Sequence, residues 1–178
     1  MTIVIFGKEE LMAKFNALSE AVQGEALSKA ALAGATVIVN AAKENAPKRD
    51  NHLGPSIHSE VSSVSETSAT VDIGTDVVYA AIQEFGGTVS AKNGKYLAIP
   101  IGDFNDSPKN HSDLKLRKTG GGNLIMVDAS GKAQYVLQTS VTIPPHPYLR
   151  PAMDENQQEA MNVIGMAFKT MIDKAVAQ

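Results

Sequence analysis

The chain contains no cysteine and no tryptophan. Without thiols there are no disulfides, no thiolate metal ligands and no cysteine nucleophile, and such a chain suits assembly in a reducing cytoplasm. With only five Phe and four Tyr, the core must rest on Val, Ile, Leu, Ala and Met. Long apolar runs are missing as well. The opening Met1-Thr2-Ile3-Val4-Ile5-Phe6-Gly7-Lys8 is short and has no basic flank. A signal peptide needs a longer apolar stretch with a cleavage site, and a membrane span needs about 20 apolar residues, so neither is expected. Charge of one sign is also lacking. A net charge of −3 gives no general attraction to nucleic acid, whose phosphates require clustered Lys and Arg. The expected partners are proteins.

What is present is ordinary for a globular protein: 43% apolar and 20% charged residues in a chain of 178. At that length roughly 70% of the extended chain's surface can be buried, and one domain is expected over 1–178. Apolar positions Leu11, Phe15, Leu18 and Val22 fall on one helical face between Glu9 and Val22. After Gly24 the pattern resumes through Leu27, Ala30, Ala31, Gly34, Val37, Ile38, Ala41 and Ala42. It should stop near Asn45, because Pro47 forces its predecessor out of helical geometry. Gly34 costs the helix about 1 kcal/mol against Ala. Its place among alanines on the apolar face implies close packing against a sheet or a neighbouring subunit.

Alternation at Ser56–Val64 and Ala69–Gly74 predicts two strands of a hairpin. Val77–Phe85 fits a short helix halted by Gly86-Gly87. From about 88 to 141 the sequence reads as an inserted excursion. It has a strand at Tyr96–Ile101, a long polar loop at Gly102–Gly122, and strands at Leu124–Asp128 and Gln134–Gln138 around an Ala129–Lys132 turn. The proline-dense corner Pro144-Pro145-His146-Pro147 leads to a final helix from Tyr148 to Ala177. The fold class is α+β: an N-terminal helix, an antiparallel β-sheet with a strand-rich insertion, and a C-terminal helix packed on the sheet.

The residues that could carry chemistry do not converge on any known pattern. His52, His58, His111 and His146 lack the spacing of a zinc motif. Asp103-Phe104-Asn105-Asp106-Ser107 has acidic and amide groups two apart, but Pro108 follows where a calcium loop has glycine. Lys118-Thr119-Gly120-Gly121-Gly122-Asn123 leads into a strand, whereas a phosphate cradle leads into a helix. There is no Gly-x-Ser-x-Gly elbow. No catalytic residue, metal or cofactor is therefore assigned, and the protein is not expected to be an enzyme. Lys109, Lys115, Arg117 and Lys118 form a basic cluster in the long loop. A solvated loop is the simpler reading, with nucleic-acid contact only incidental.

Three patterns in order carry a resemblance. They are Ala46-Pro47 with Leu53 and Ser56-Ile57; Tyr79-Ala80 with Glu84-Phe85-Gly86-Gly87; and Pro145-His146-Pro147-Tyr148-Leu149-Arg150-Pro151-Ala152. Together they resemble the siphophage tail-component and tail-completion family. Tyr135-Val136-Leu137 with Ser140–Pro144 is similar to the virion morphogenesis proteins of Mu-like phages. Asp50-Asn51 stands where that family has Thr-Gly, Gly87 where Thr is common, and Tyr148 where it has Phe. Asn51 can still take a left-handed turn, and Tyr keeps an aromatic anchor.

The residues have physical roles on their own. Ala46-Pro47 should end a helix, Phe85 should bury its ring before the Gly86 turn, and Tyr148 and Leu149 should plug into the core. Pro145 and Pro147 should stiffen the approach to the last helix, and Pro151 suits its first turn. A pairing of Arg150 with Glu84 is expected because each motif carries one unexplained charge. The resemblance implies a structural virion protein of a tailed phage or prophage, assembled in the host cytoplasm and resident in the tail or neck. It would act in tail completion or head–tail joining as a homo-oligomeric ring, a hexamer among the sizes expected, bound to other tail or neck proteins. The excursion is the expected neighbour-binding region. A soluble adaptor module, and behind it a small hydrolase, are the alternatives.

Overall fold

The computed structural model describes residues 8–20, 23–48, 52–92, 94–101 and 106–177. The Asp50-Asn51 turn, Val22, the Leu11 side chain and the 102–105 part of the long loop lie outside the described residues. The chain divides into two compact units. The first combines 1–84 with 146–178, and the second is 85–145.

The first unit is built on two long helices. Helix α1 spans Lys8–Glu20, α2 spans Glu25–Asn45 and α5 spans Leu149–Val176, with the short α3 at Leu53–Ser56 and α4 at Ala80–Phe85 between them. Strands β1 (His58–Val64) and β2 (Ala69–Gly74) pair antiparallel, with a register irregularity between Val61 and Ser63. The final helix packs chiefly on α2 and also on α1, while α2 also carries the hairpin. Its support is thus a helix, not the sheet expected from sequence.

Gly34 explains that arrangement. A Cβ at this position would lie 2.6 Å from Ile164 Cγ1 and 2.9 Å from the Ala160 carbonyl oxygen. The helices approach too closely for any side chain here, and the surface that Gly34 meets is α5, neither sheet nor neighbouring subunit. Ala30, Ala35, Ala42, Ala152 and Ala160 are buried in the same unit, so short side chains let the two backbones come together. Ile38, Val39, Leu53, Ile57 and Tyr148 fill the rest of its core.

Two expectations in this unit are corrected. Ser56 belongs to α3, and β1 begins at His58. The Ser56 hydroxyl bonds back to the Leu53 carbonyl and reaches the Thr75 hydroxyl at 2.6 Å, closing a helical turn where alternation alone suggested a strand. Phe15, expected on the apolar face of its helix, is 58% exposed on α1.

Among the described residues the second unit is all-β apart from one 3-10 turn at Pro108–Asn110 and Phe85, the last residue of α4. Strands β3 (Gly87–Ser90) and β8 (Ser140–Ile143) form a ribbon, with the Thr88 and Thr142 hydroxyls 3.2 Å apart. The other four strands are β4 (Leu97–Pro100), β5 (Lys115–Lys118), β6 (Leu124–Val127) and β7 (Ala133–Gln138). They lie antiparallel in the order β4-β7-β6-β5.

The expected long loop therefore contains a strand. Lys115–Lys118 pairs with β6 through its backbone, and an edge strand with both faces in solvent needs no apolar alternation. Val127 and Tyr135 are the buried apolar side chains of this unit among the described residues. The Tyr135 hydroxyl donates to the carbonyl oxygen of Asp106. Asp128 closes the β6–β7 turn: its Oδ1 accepts from the Ser130 and Lys132 backbone N–H groups and the Ser130 hydroxyl, and its Oδ2 from the Gln134 amide.

Candidate functional site

A helix leaves its first four N–H groups without partners inside the helix. At the start of α5 these belong to Tyr148, Leu149, Arg150 and residue 151, which is proline and has no N–H. No local side chain caps this end. Glu84 supplies what is missing. Its Oε2 accepts from the Tyr148 N–H at 2.8 Å and the Leu149 N–H at 2.9 Å, and its Oε1 accepts from the Arg150 N–H at 3.0 Å. Three donors are satisfied by one carboxylate, and the fourth is removed by Pro151. The negative charge also sits at the positive end of the helix dipole.

Glu84 is only 7% exposed. Burial pushes its carboxyl pKa up, but the N–H groups of Leu149, Tyr148 and Arg150, with the Arg150 charge behind them, outweigh that and hold it below the ordinary value. The expected pairing of Glu84 with Arg150 is one of side-chain charges; the bond found comes from the Arg150 backbone N–H, with the Arg150 charge adding a smaller electrostatic contribution. One more bond joins the same two stretches, from the His146 N–H to the Gln83 carbonyl at 2.7 Å. Pro144, Pro145 and Pro147 offer no donors, so the corner reaches the clamp with few N–H groups left to place.

The three motifs sort into inward and outward residues. Ala46, Leu53, Ile57, Ala80 and Tyr148 meet in one buried cluster, with Leu149 packed against it. Pro47 and Ser56 are half-buried, and Pro47 lines a shallow depression of about 220 Å³ with Lys43, Ala46, Lys48, Gly54 and Pro55. Tyr79 is 41% exposed and Phe85 is 67% exposed, so the expectation that the Phe85 ring is buried fails. The backbone turn beside it is real. Gly86 has φ of 67°, and a Cβ there would lie 2.7 Å from the Pro145 nitrogen, so glycine is required twice over. Pro145, Pro147 and Arg150 face solvent, and Pro151 is half-buried.

The clamp could have been sought in the sequence. A helix entered through Pro-His-Pro-Tyr, with no Ser, Thr, Asp or Asn at its cap, must find its acceptor elsewhere. Nothing in the spacing says that the acceptor lies 64 residues upstream.

Charge is divided unevenly. Residues 50–91 hold Asp50, Glu60, Glu66, Asp72, Asp76 and Glu84 with no Lys or Arg. Glu60 and Asp72 are direct cross-strand partners, both exposed. Strand β5 is exposed at all four positions, Lys115, Leu116, Arg117 and Lys118, and ends its sheet. Exposed Lys109 lies in the nearby 3-10 turn. His111 contacts the Asp106 carboxylate at 3.0 Å. Among the described residues no three His, Asp or Glu side chains group as metal ligands, and no helix is long and apolar enough to cross a membrane.

Residues 9–86 match the model of a family described as "Bacteriophage HK97-gp10, putative tail-component". This segment is similar to a phage tail component. The match takes in fewer than half of the 178 residues and ends on Glu84-Phe85-Gly86. It bears out the siphophage tail-component resemblance through the first two motifs, and a tail component has a structural, protein-binding role. The corner at 145–152 lies beyond the matched residues. No curated protein and no solved structure matches the chain.

Proposed function

We propose that this protein completes the tail, or joins tail to head, of a tailed bacteriophage or prophage, acting through surface contacts and no chemistry of its own. The observation that carries this is the family match over 9–86. The third motif extends the reading, because Glu84, inside the match, holds Tyr148, Leu149 and Arg150 outside it. In this reading Ala46, Leu53, Ile57, Ala80, Glu84 and Tyr148 build the subunit, while the exposed Tyr79, Phe85 and Arg150 lie on the surface that meets other tail or neck proteins. Copies form a homo-oligomeric ring in the virion, six-fold in the first instance, because tail parts follow rotational symmetry. Assembly takes place in the host cytoplasm.

The test is genetic and visual. A null allele in the parent phage or prophage should give lysates holding filled heads and unjoined tails, and added purified protein should restore joined, infectious particles. Normal joined particles in the null lysate would refute the role.

A further inference from the structure

We propose that copies of this chain associate head to tail, the basic edge strand β5 of one copy docking on the acidic β1–β2 hairpin of the next. The inference rests on the ring reading above and names its contact. Strand β5 closes the order β4-β7-β6-β5, so its outer backbone N–H and C=O groups have no strand partner among the described residues. Such an edge is a template for another strand. Lys115, Arg117 and Lys118 place three cations in four exposed residues, and among the described residues none of them forms an ion pair.

The hairpin carries the complementary features. It is only two strands wide, so each strand also keeps an outer edge. Glu60 and Asp72 face each other directly across it, and like charges directly opposite destabilise a strand pair. No Lys or Arg occurs anywhere from 50 to 91 to relieve them. A basic strand added at the β1 edge would bring cations within cross-strand reach of Glu60, about 5–8 Å, with Asp72 one strand further on at about 10 Å.

The same charges select the occupant. Two β5 edges pairing with each other would set cation against cation, and two hairpins would set acid against acid. Only the unlike contact is attractive, and an unlike contact repeats from copy to copy, closing into a ring when its rotation allows. Nucleic acid would satisfy the cations of β5 but would leave its edge N–H and C=O groups without strand partners.

The test uses the full chain and two charge-reversed variants. One carries Lys115→Glu, Arg117→Glu and Lys118→Glu, and the other carries Glu60→Lys and Asp72→Lys. Wild type should be oligomeric by light scattering and should dissociate as salt is raised, since exposed charges are screened. Each variant alone should fall to the 18.8 kDa chain while keeping the wild-type circular dichroism spectrum and melting temperature. Mixed one to one, the variants should reassemble, because each β5 then meets a hairpin of opposite sign. If either variant misfolds, the salt dependence of the wild-type mass still decides the matter, and an oligomer indifferent to salt overturns the proposal.

Oligomeric single variants, or a mixture that stays monomeric, would also overturn this interface while leaving the ring reading intact. A wild-type monomer at every concentration would sink both. If the β5 variant keeps its oligomer but loses binding to a DNA duplex, β5 is a nucleic-acid surface and the proposal is wrong.

Discussion

The two units spend their residues differently. In the first, Gly34 sits against Ile164 and Ala160, a single cluster gathers Ile38, Leu53, Ile57 and Tyr148, and Glu84 accounts for the orphan donors of α5. In the second, only Val127 and Tyr135 are buried apolar side chains among the described residues, and order comes from polar turns such as the one around Asp128. The helical core of the first unit is finished by its own contacts, and only its two-stranded hairpin keeps open edges. A unit of short strands with few buried side chains keeps edges available to neighbours, and its local stability should be lower.

The largest effect is expected from emptying the clamp. Glu84→Ala leaves three N–H groups in a buried place without an acceptor and should cost about 4 kcal/mol, at roughly 1–3 kcal/mol for each unmet group less partial rescue by water. Thermal or urea unfolding checks this. Glu84→Gln, which keeps the shape but loses the charge, should cost less than the alanine. The folded carboxyl has a lowered pKa, so its contribution is fully present above the unfolded value of about 4.5 and is lost as pH falls through the lower folded value. That acid-side slope should shrink in Glu84→Gln.

Next comes Gly34→Ala. The added Cβ collides with Ile164 Cγ1 and with a backbone oxygen, and overpacking costs about 1–3 kcal/mol. Because a backbone oxygen cannot swing aside as a side chain can, the upper half of that range applies, and a gain of about 1 kcal/mol in helix propensity leaves a net loss of about 1–2 kcal/mol. An unchanged or raised melting temperature would mean the helices can separate cheaply, and the contrast between the units would weaken.

Smaller, local effects belong to the second unit. Tyr135→Phe removes the bond to the Asp106 carbonyl and should speed amide exchange around 106–111 while leaving α2 and α5 unchanged. Asp128 holds its carboxyl pKa at about 2, first through the Ser130 hydroxyl and the Gln134 amide. Its turn should stay closed above about pH 4 and loosen as pH falls through 2, visible as a carboxyl chemical-shift titration. Asp128→Ala should loosen it at neutral pH.

Helix α2 and the final helix could be read from apolar spacing and from Pro47, to within a residue or so, because periodicity records which face is buried. Strand β5 could not. Lys115-Leu116-Arg117-Lys118 owes its extension to backbone pairing with β6, which leaves no trace in side-chain pattern. The motif residues were visible as a set, but not their directions. Tyr148 buries and Phe85 does not, and an aromatic ring looks the same in sequence either way. Glu84 was legible as an unexplained charge. Its partners were hidden because backbone N–H groups belong to every residue.

The central claim, that the α2–α5 core and its Glu84 clamp are complete while strand β5 and the β1–β2 hairpin await a neighbour, is tested most directly by hydrogen–deuterium exchange on the full chain at low and high protein concentration. Amides of α2, α5 and 148–150 should be protected alike at both, while those of β5 and the β1–β2 hairpin should gain protection only when the chain is concentrated. Equal protection of β5 at the two concentrations would contradict it.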